Sequence, residues 1–193
     1  MAFNIQSFTS GLSGGGARAG LFEVELNIPS SLVTNSNTRV ADKFKFSCSA
    51  TTIPPGTIEV AEVSYMGRLF KFPGGRVFDE WVTTVLNDED FLVRDTIEQW
   101  MDELNGNTTN RDNVIANPGN AFQNLVVTQF AKDGAPIRKY VLVDCWPSAV
   151  GEVTLDWAES STIQTFDITW NFQWWESRGT DNNTSNDMNV GIR

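Results

Sequence analysis

The sequence predicts a mainly β protein made of antiparallel strands with one α-helix. Three observations predict it: apolar and polar residues alternate in several segments, Gly-containing turns join neighbouring segments of this kind, and only one segment changes to helical spacing. The chain has 193 residues, the size of about one domain. With 40% hydrophobic residues, a chain of this length can bury a core without disulfides or metals.

The first two strands are predicted at residues 21–26 and 43–48. In the second, Phe44, Phe46 and Cys48 alternate with polar side chains. The residues between these strands, 27–40, are rich in turn formers and are expected to form a loop.

A hairpin is predicted in the middle of the chain. Residues 69–72 and 76–85 read as its two strands, with Pro73-Gly74-Gly75 as the turn. Ile53-Pro54-Pro55-Gly56, upstream of it, cannot pair inside a sheet because proline has no N–H to donate.

The helix is predicted at about residues 88–104. Its apolar residues recur at helical spacing, and Asn87 or Asp88 is expected to cap its first turn. Asn105-Gly106 is expected to end it. The recurring apolar residues are Val93, Ile97, Trp100, Met101 and Leu104.

Four further strands are predicted toward the C-terminus. Residues 125–131 and 137–144 form a hairpin around Lys132-Asp133-Gly134-Ala135, and strands follow at 153–157 and 163–175. In the last strand, the apolar face consists of Phe166, Ile168, Trp170, Phe172 and Trp174, and the polar face of Thr165, Asp167, Thr169, Asn171 and Gln173. Trp81, Trp157, Trp170 and Trp174 are expected in the core.

The domain organisation is predicted as one β domain with two appended segments. Residues 1–20 are small, polar and glycine-rich and read as a flexible arm, 21–176 as the β domain, and 177–193 as a polar tail. No apolar run reaches the ~20 residues of a membrane span, so no membrane insertion is expected. The N-terminus lacks the basic and apolar regions of a secretory signal.

Charge excludes several classes of protein. The net charge is −10 and there is no basic stretch, which argues against a DNA-binding protein of the usual kind. The absence of histidine excludes a histidine metal site and a His-based triad. Cys48 and Cys145 lack CxxC spacing and are expected to be reduced and packed.

No catalytic, cofactor-binding or metal-binding residues are predicted. Gly14-Gly15-Gly16 loosely fits a dinucleotide fingerprint but has no strand before it and no helix after it. Paired carboxylates such as Asp79/Glu80 fit a solvated surface better than a glycosidase, and the tryptophans fit a core better than a sugar platform. Residues 152–176 hold five acids and no Lys or Arg, which is typical of a solvated face or of a surface that repels polyanions.

Three segments resemble the tail tube family of T4-like contractile-tailed bacteriophages. They are residues 45–56, residues 76–81 with 86–89, and above all Trp-Pro-Ser-Ala-Val-Gly-Glu-Val-Thr-Leu-Asp-Trp at 146–157 followed by Ile-Gln-Thr-Phe-Asp at 163–167. The resemblance covers about residues 20–176. The arm, the 27–40 loop and the segment after Glu176 depart from the family pattern, so no role is carried over to them.

The resemblance implies a structural virion protein rather than an enzyme. Members of the family form sixfold rings whose strands complete one continuous inner β-barrel, and the rings stack into a hollow tube. The implied partners are other copies of the chain, the sheath, tape measure, baseplate and tail terminator proteins, and DNA that passes without tight binding. Assembly is expected in the host cytoplasm.

Two sets of residues follow as expectations. A lumen that conducts DNA should lack cations, so the polar face of the last strand and two acids on the neighbouring strand are expected to line it: Glu152, Asp156, Thr165, Asp167, Thr169, Asn171 and Gln173. The segment 51–67 matches the family's loop toward the adjacent ring, with candidate contacts at Thr51, Ile53, Pro54, Pro55, Gly56, Glu59 and Met66.

Two alternatives remain open from the sequence. One is the tube of a type VI secretion system or of a contractile bacteriocin, which shares the fold but conducts no DNA. The other is a sugar-binding or hydrolytic β-sandwich, which would stay monomeric.

Overall fold

The computed structural model describes residues 5–12, 15–32, 39–110, 121–159 and 161–179. The helices of this part are α1 (Ile5–Gly11), α2 (Val40–Ser47) and α3 (Leu92–Leu104). The strands are β1 (Phe22–Leu26), β2 (Cys48–Thr51), β3 (Thr57–Tyr65), β4 (Arg68–Val77), β5 (Trp81–Leu86), β6 (Gln123–Phe130), β7 (Pro136–Val150), β8 (Thr165–Asn171) and β9 (Trp174–Gly179). All their pairings are antiparallel, which confirms the predicted mainly β fold class.

Strand β7 belongs to two layers of the main sheet. The strand order is β1-β6-β7-β8-β5-β2, with β9 also paired to β7. The first part of β7 pairs with β6 and β9, and its residues from Trp146 onward pair with β8. Asp144, at the change of partners, has a φ of 54° and lies where the register with β6 shifts. Such an irregularity bends a strand, so β7 can contribute to both layers.

The core between the layers is built around tryptophan. Trp81, Trp100 and Trp170 have no exposed surface, so the core assignment of Trp81 and Trp170 is confirmed. The ring of Trp170 lies edge-on to Trp100 at 5.8 Å and to Phe44 at 6.4 Å, a favourable arrangement of ring quadrupoles. Helix α3 packs on β7 and α2 packs on β1, so both helices lie against the sheet.

The core assignment of the other two tryptophans was wrong. Trp157 is fully exposed, at 104% of its reference area, and Trp174 is 43% exposed. Trp157 lies in a segment without regular structure, because the strand predicted at residues 153–157 does not form. The alternation of apolar residues in this segment therefore does not correspond to a buried face.

Residues 43–48 do not form the predicted strand but lie largely in helix α2. The buried side chains are Val40 and Phe44, four residues apart, whereas Phe46 is 86% exposed. The period of four was obscured because Phe46 supplied an apparent alternation with Phe44. The described residues thus contain three helices rather than one, and α1 falls within the segment predicted as a flexible arm.

The predicted pairing of residues 69–72 with 76–85 was wrong, and a hairpin forms instead between β3 and β4. Its turn is at Met66-Gly67, and β4 continues through Pro73-Gly74-Gly75 to Val77. Gly67 has a φ of 77°, which glycine adopts without strain. The predicted strand at 76–85 is therefore divided between β4 and β5, with residues 78–80 between them.

Helix α3 begins at Leu92, four residues later than predicted. The side chains of Asn87 and Asp88 do not cap it; Asp90 Oδ1 instead accepts a hydrogen bond from the N–H of Leu92 at 3.1 Å. Phe91, just before the helix, has a φ of 51°, which re-aims the chain into its first turn. The predicted end at Asn105 is confirmed, since its N–H donates to Met101 O.

The C-terminal strand is two strands, β8 and β9. Phe172 and Gln173 separate them, and the N–H of Gln173 donates to Val143 O at 3.1 Å. Strand β8 pairs with β5 and β7, whereas β9 pairs with the first part of β7. The hairpin predicted around Gly134 is confirmed as β6–β7, and the tail predicted from residue 177 begins inside β9, with residues 180–193 outside the described range.

Candidate functional site

The outward face of one layer carries the residues predicted to line a channel. This layer consists of β2, β5, β8 and the end of β7. Along β8, Phe166, Ile168 and Trp170 are buried in the core. Side chains alternate between the two faces of a strand, so Thr165, Asp167, Thr169 and Asn171 lie on the opposite face, where they are exposed or half-buried. The predicted division of the two faces is therefore confirmed over β8.

The polar groups of this outward face are hydrogen-bonded to the sheet. Thr84 Oγ1 donates to Asp167 Oδ1 at 2.7 Å, and Ser49 Oγ donates to Thr84 O at 3.2 Å. Thr51 Oγ1 and Ser148 Oγ donate to backbone carbonyls of the neighbouring strands at 3.2 Å each. Hydroxyls held in this way present a short, polar surface without long mobile side chains.

The same four strand segments carry almost no charge. In residues 48–51, 81–86, 146–150 and 165–171, Asp167 is the one ionisable side chain apart from buried Cys48, and there is neither Lys nor Arg. This is unusual in a chain with 20% charged residues. The face cannot attract a polyanion through fixed cations of its own.

Glu152, Asp156 and Gln173 lie outside this layer's strands. Glu152 follows Gly151, whose N–H donates to Asp167 O at 2.6 Å, so Glu152 stays close to the polar face. Asp156 lies farther along, in a turn where its Oδ1 accepts from the N–H of Ala158 at 2.9 Å. The placement of Glu152 and Asp156 on a neighbouring strand was wrong, because residues 151–156 form no strand.

Gly151 is held close to the sheet by two elements. A Cβ there would lie 3.1 Å from both the N and the O of Asp167, so a side chain would push the two segments apart. Arg94 of helix α3 donates to Gly151 O at 3.1 Å and lies over the Phe166 ring at 5.3 Å. Arg94 was not predicted from the sequence, since nothing in its local pattern distinguishes it from an ordinary surface cation of a helix.

The residues predicted to reach an adjacent ring lie along one path. Thr51 ends β2, residues 52–56 link it to the hairpin, Glu59 lies in β3 and Met66 forms the turn. Every residue of β3 and β4 is exposed, and the two strands make no extensive contact with any other helix or strand of the described chain. This β3–β4 hairpin therefore projects from the domain.

Two indoles hold the base of the hairpin. Trp81 Nε1 donates to Thr52 O at 2.6 Å, and Trp175 Nε1 donates to Pro55 O at 3.0 Å. A Cβ on Gly56 would already touch the Trp175 ring at 3.6 Å. The linker is thus fixed from β5 and from β9, although prolines leave it without strand pairing.

The described residues offer little chemistry beyond this. No group of three or more Cys, Asp or Glu side chains among them is arranged to hold a metal ion. Cys48 and Cys145 are free and buried, and burial raises the pKa of each thiol to about 12, so both are neutral. In the described ranges, no helix is both long and apolar enough to cross a membrane.

A family model and known relatives each match most of the chain. Residues 17–178 match the family model described as "Phage tail tube protein". The chain is 33% identical over 167 residues to the tail tube protein of Enterobacteria phage T4, covering 85% of this chain and 93% of that one. The arm before residue 17 lies outside the family match.

Solved structures share the fold at lower identity. A chain of the baseplate of the anti-feeding prophage superposes with a TM-score of 0.61 at 13% identity, covering 86% of this chain and 97% of that chain. A chain from the sheath/tube terminator of an extracellular contractile injection system gives a TM-score of 0.60 at 12% identity, with coverage of 85% and 97%.

Proposed function

The chain belongs to the phage tail tube protein family, and from this membership we propose that its copies form sixfold rings that stack into a hollow tube. It is a tail tube protein of a contractile phage tail and thus a component of the virion. In the proposed tube, the outward face of β2, β5, β8 and the end of β7 lines the channel.

The observation that carries this proposal is the composition of that face. It presents hydroxyl and amide groups beside the apolar Val82 and Leu86, one carboxylate at Asp167 and no cation, and Glu152 lies beside it. Nonspecific binding of protein to DNA is worth roughly 5–8 kcal/mol per site, and it rests on cations that contact phosphates. A channel with cations on every subunit would hold a genome in place, whereas this face lets DNA pass.

The edges of the layer support closure by neighbouring copies. β2 ends the strand order, and the residues of β7 that pair with β8, from Trp146 to Val150, take no second strand in the described chain. Exposed edges invite pairing with another strand. If each copy pairs its edges with its neighbours, the layers join into one ring-wide barrel in which no edge remains.

The projecting hairpin supplies the contact between rings in this proposal. Apart from each other, its exposed strands contact no other helix or strand of the described chain extensively, and its base is fixed by the Trp81 and Trp175 indoles. A rigidly held hairpin loses little conformational freedom on binding. Thr51, Ile53, Pro54, Pro55, Gly56, Glu59 and Met66 are the proposed contacts or supports of this loop.

The proposed partners follow from the same tube. The structurally similar chains come from a baseplate and from a sheath/tube terminator. We propose that this chain likewise contacts sheath proteins along the outside of its tube, and terminator and baseplate proteins at its ends. A tape measure protein and then DNA would occupy the channel. The role is structural rather than catalytic, with no cofactor, in line with the relatives named as tail tube proteins.

Negative-stain electron microscopy of the purified full chain tests the proposal. The expected result is rings with a central bore, or cylinders of stacked rings. Single particles that bind a glycan would instead support the sugar-binding sandwich and contradict the tube. A tube of a secretion system or of a bacteriocin would give the same rings in this experiment. The 33% identity to a phage protein favours the phage tail.

A further inference from the structure

Residues between β7 and β8, with Thr165 at the start of β8, line an open groove that contains three large apolar side chains. The groove has a volume of about 480 Å³, and its lining includes Leu155, Trp157 and Ile163, which are 78%, 104% and 66% exposed. Large apolar side chains with this exposure are expected where another molecule is to be bound. Its two charged lining residues, Asp156 and Glu159, are both acids.

The groove is built before any partner arrives. At its start, Gly151 is held by Asp167 and Arg94, and at its end Asn87 donates both its N–H and its side-chain amide to Gln164. Across it, Thr162 Oγ1 donates to Glu159 Oε2 at 2.6 Å. An anchored segment of this kind presents its apolar side chains in a defined arrangement.

One face of the β3–β4 hairpin has matching chemistry. The register places Val63 opposite Phe70, Ala61 opposite Phe72 and Tyr65 opposite Arg68, so these residues share a face. All of them are exposed. The opposite face carries the ion pair of Glu62 with Lys71 at 3.6 Å. The first face, here called the aromatic face, is therefore apolar with one cation, Arg68, near the turn.

Arg68 complements the charge of the groove. It makes no ion pair within the described part of the chain. The segment 152–176 contains acids and no Lys or Arg, so Asp156 and Glu159 have no cation on their own segment. An arginine brought to this groove would find carboxylates suited to bidentate pairing.

The two surfaces lie at opposite ends of the same layer. The hairpin leaves the layer beside Trp81, which pairs with Trp170, and the groove adjoins the other end of the two strands, where Leu86 pairs with Thr165. Five residue steps separate these ends, which is about 17 Å along a strand. Two complementary surfaces at opposite ends of one subunit join copies head to tail and leave the next surface free.

We propose that the groove of one copy receives the aromatic face of the β3–β4 hairpin of a second copy in the adjacent ring, with Arg68 at Asp156 and Glu159. This inference rests on the proposed tube and adds to it the surface that the hairpin contacts. Phe46 lies near this end as well: it lines a second cleft that shares Ile163 with the groove, which extends the apolar surface.

Disulfide cross-linking of the full chain tests the pairing. The two native thiols are buried, so a cysteine pair introduced by Phe70→Cys and Trp157→Cys in one chain can be oxidised selectively. The expected result is a ladder of covalently linked copies on a non-reducing gel when assembled tubes are oxidised. The matched control carries Leu69→Cys with Trp157→Cys, because Leu69 is exposed on the opposite face of the hairpin, and it should give no ladder.

The outcomes separate the inference from the function on which it rests. Tubes that form in both variants but give no ladder, or an equal ladder with Leu69→Cys, overturn the pairing and leave the tube intact. If the unsubstituted chain forms neither rings nor tubes, the pairing and the proposed tube are both overturned. A charge reversal gives a second measurement. Arg68→Glu should abolish the stacking of rings, and adding Asp156→Lys and Glu159→Lys to it should restore stacking. If the combined variant still does not stack, the pairing is contradicted.

Discussion

Two buried threonines differ in whether their hydroxyl has a partner. Thr83 Oγ1 accepts a hydrogen bond from Trp170 Nε1 at 3.0 Å, and both residues have no exposed surface. Thr128 Oγ1, which is also buried, has no hydrogen-bond partner among the residues that the structure describes. Removing a hydroxyl should therefore have opposite consequences at the two sites, because an unpaired buried polar group is costly.

We predict that Thr83→Val destabilises the protein by about 1–3 kcal/mol, since it leaves the Trp170 indole N–H unpaired in the core. The matched variant Thr128→Val should be neutral or stabilising, because it removes an unsatisfied oxygen from an equally buried position. Urea unfolding followed by tryptophan fluorescence measures both. Equal losses in the two variants would contradict the assignment of the hydrogen bond.

A lysine joins helix α2 to the segment that leads into helix α3. Lys43 Nζ forms ion pairs with Asp88, at 2.8 Å, and with Asp90. The hydrogen bond from Lys43 is the leading cause that lowers the pKa of each aspartate below its ordinary value of 3.8. A lowered carboxylate pKa stabilises the folded state fully above 3.8 and loses that effect as the pH falls through the lowered value.

We predict that the melting temperature of Asp90→Asn falls less than that of the wild type as the pH is lowered past 3.8. The variant has no carboxylate at position 90, so it has no Lys43–Asp90 ion pair to lose when acid protonates the wild-type side chain. Asp79→Asn is the control, since Asp79 makes no ion pair in the described chain. Identical acid profiles for Asp90→Asn and the wild type would argue against the ion pair.

At the scale of elements, alternation was a sound predictor only where one face is buried. It gave β1 and the β6–β7 hairpin correctly, because Val24, Leu26, Leu125 and Val127 face the core. It failed in α2, where exposed Phe46 imitates alternation. A sequence shows which residues are apolar but not which of them the fold buries.

The same dependence on burial explains which parts of the candidate site could be predicted from the sequence. The polar face of β8 was predictable because Phe166, Ile168 and Trp170 alternate regularly with it and are buried on the opposite face of the strand. The break between β8 and β9 was not, because apolar residues continue through Phe172 to Trp174 without interruption. The break depends on long-range pairing, with β8 on β5 and β9 on the first part of β7.

We predict that Trp175→Phe loosens the base of the β3–β4 hairpin. The substitution keeps a ring near Tyr140 but removes the donor to Pro55 O. Amide hydrogen exchange in residues 57–77 should become faster, because local opening has lost one constraint. Trp174→Phe is the matched control, because the neighbouring Trp174 indole makes no hydrogen bond within the described ranges. Unchanged exchange in Trp175→Phe would show that the Trp81 contact alone holds the hairpin.

At the scale of the whole molecule, the polar face, the groove and the β3–β4 hairpin are separate surfaces of the described chain. One bent strand, β7, carries both layers, so the polar face, the groove and the hairpin base are held by one core. Because the core is closed around Trp81, Trp100 and Trp170, no surface charge has to be desolvated for it to pack. The net charge of −10 is therefore available to keep polyanions at a distance, except where a cation is introduced.

We predict that a cation on the polar face makes assembled tubes retain DNA. Asp167→Lys replaces the one carboxylate of the face with an ammonium group, which is repeated in every subunit around and along the proposed channel. Each phosphate contact adds to binding and to its salt dependence, so short double-stranded DNA should cosediment with the variant tubes at low salt and be released as salt rises. Asp133→Lys, in the exposed β6–β7 turn, makes the same change of charge away from the face. Because the two variants have equal net charge, retention by both to the same degree would place the channel elsewhere, whereas retention by Asp167→Lys alone would locate this face on the path of the DNA.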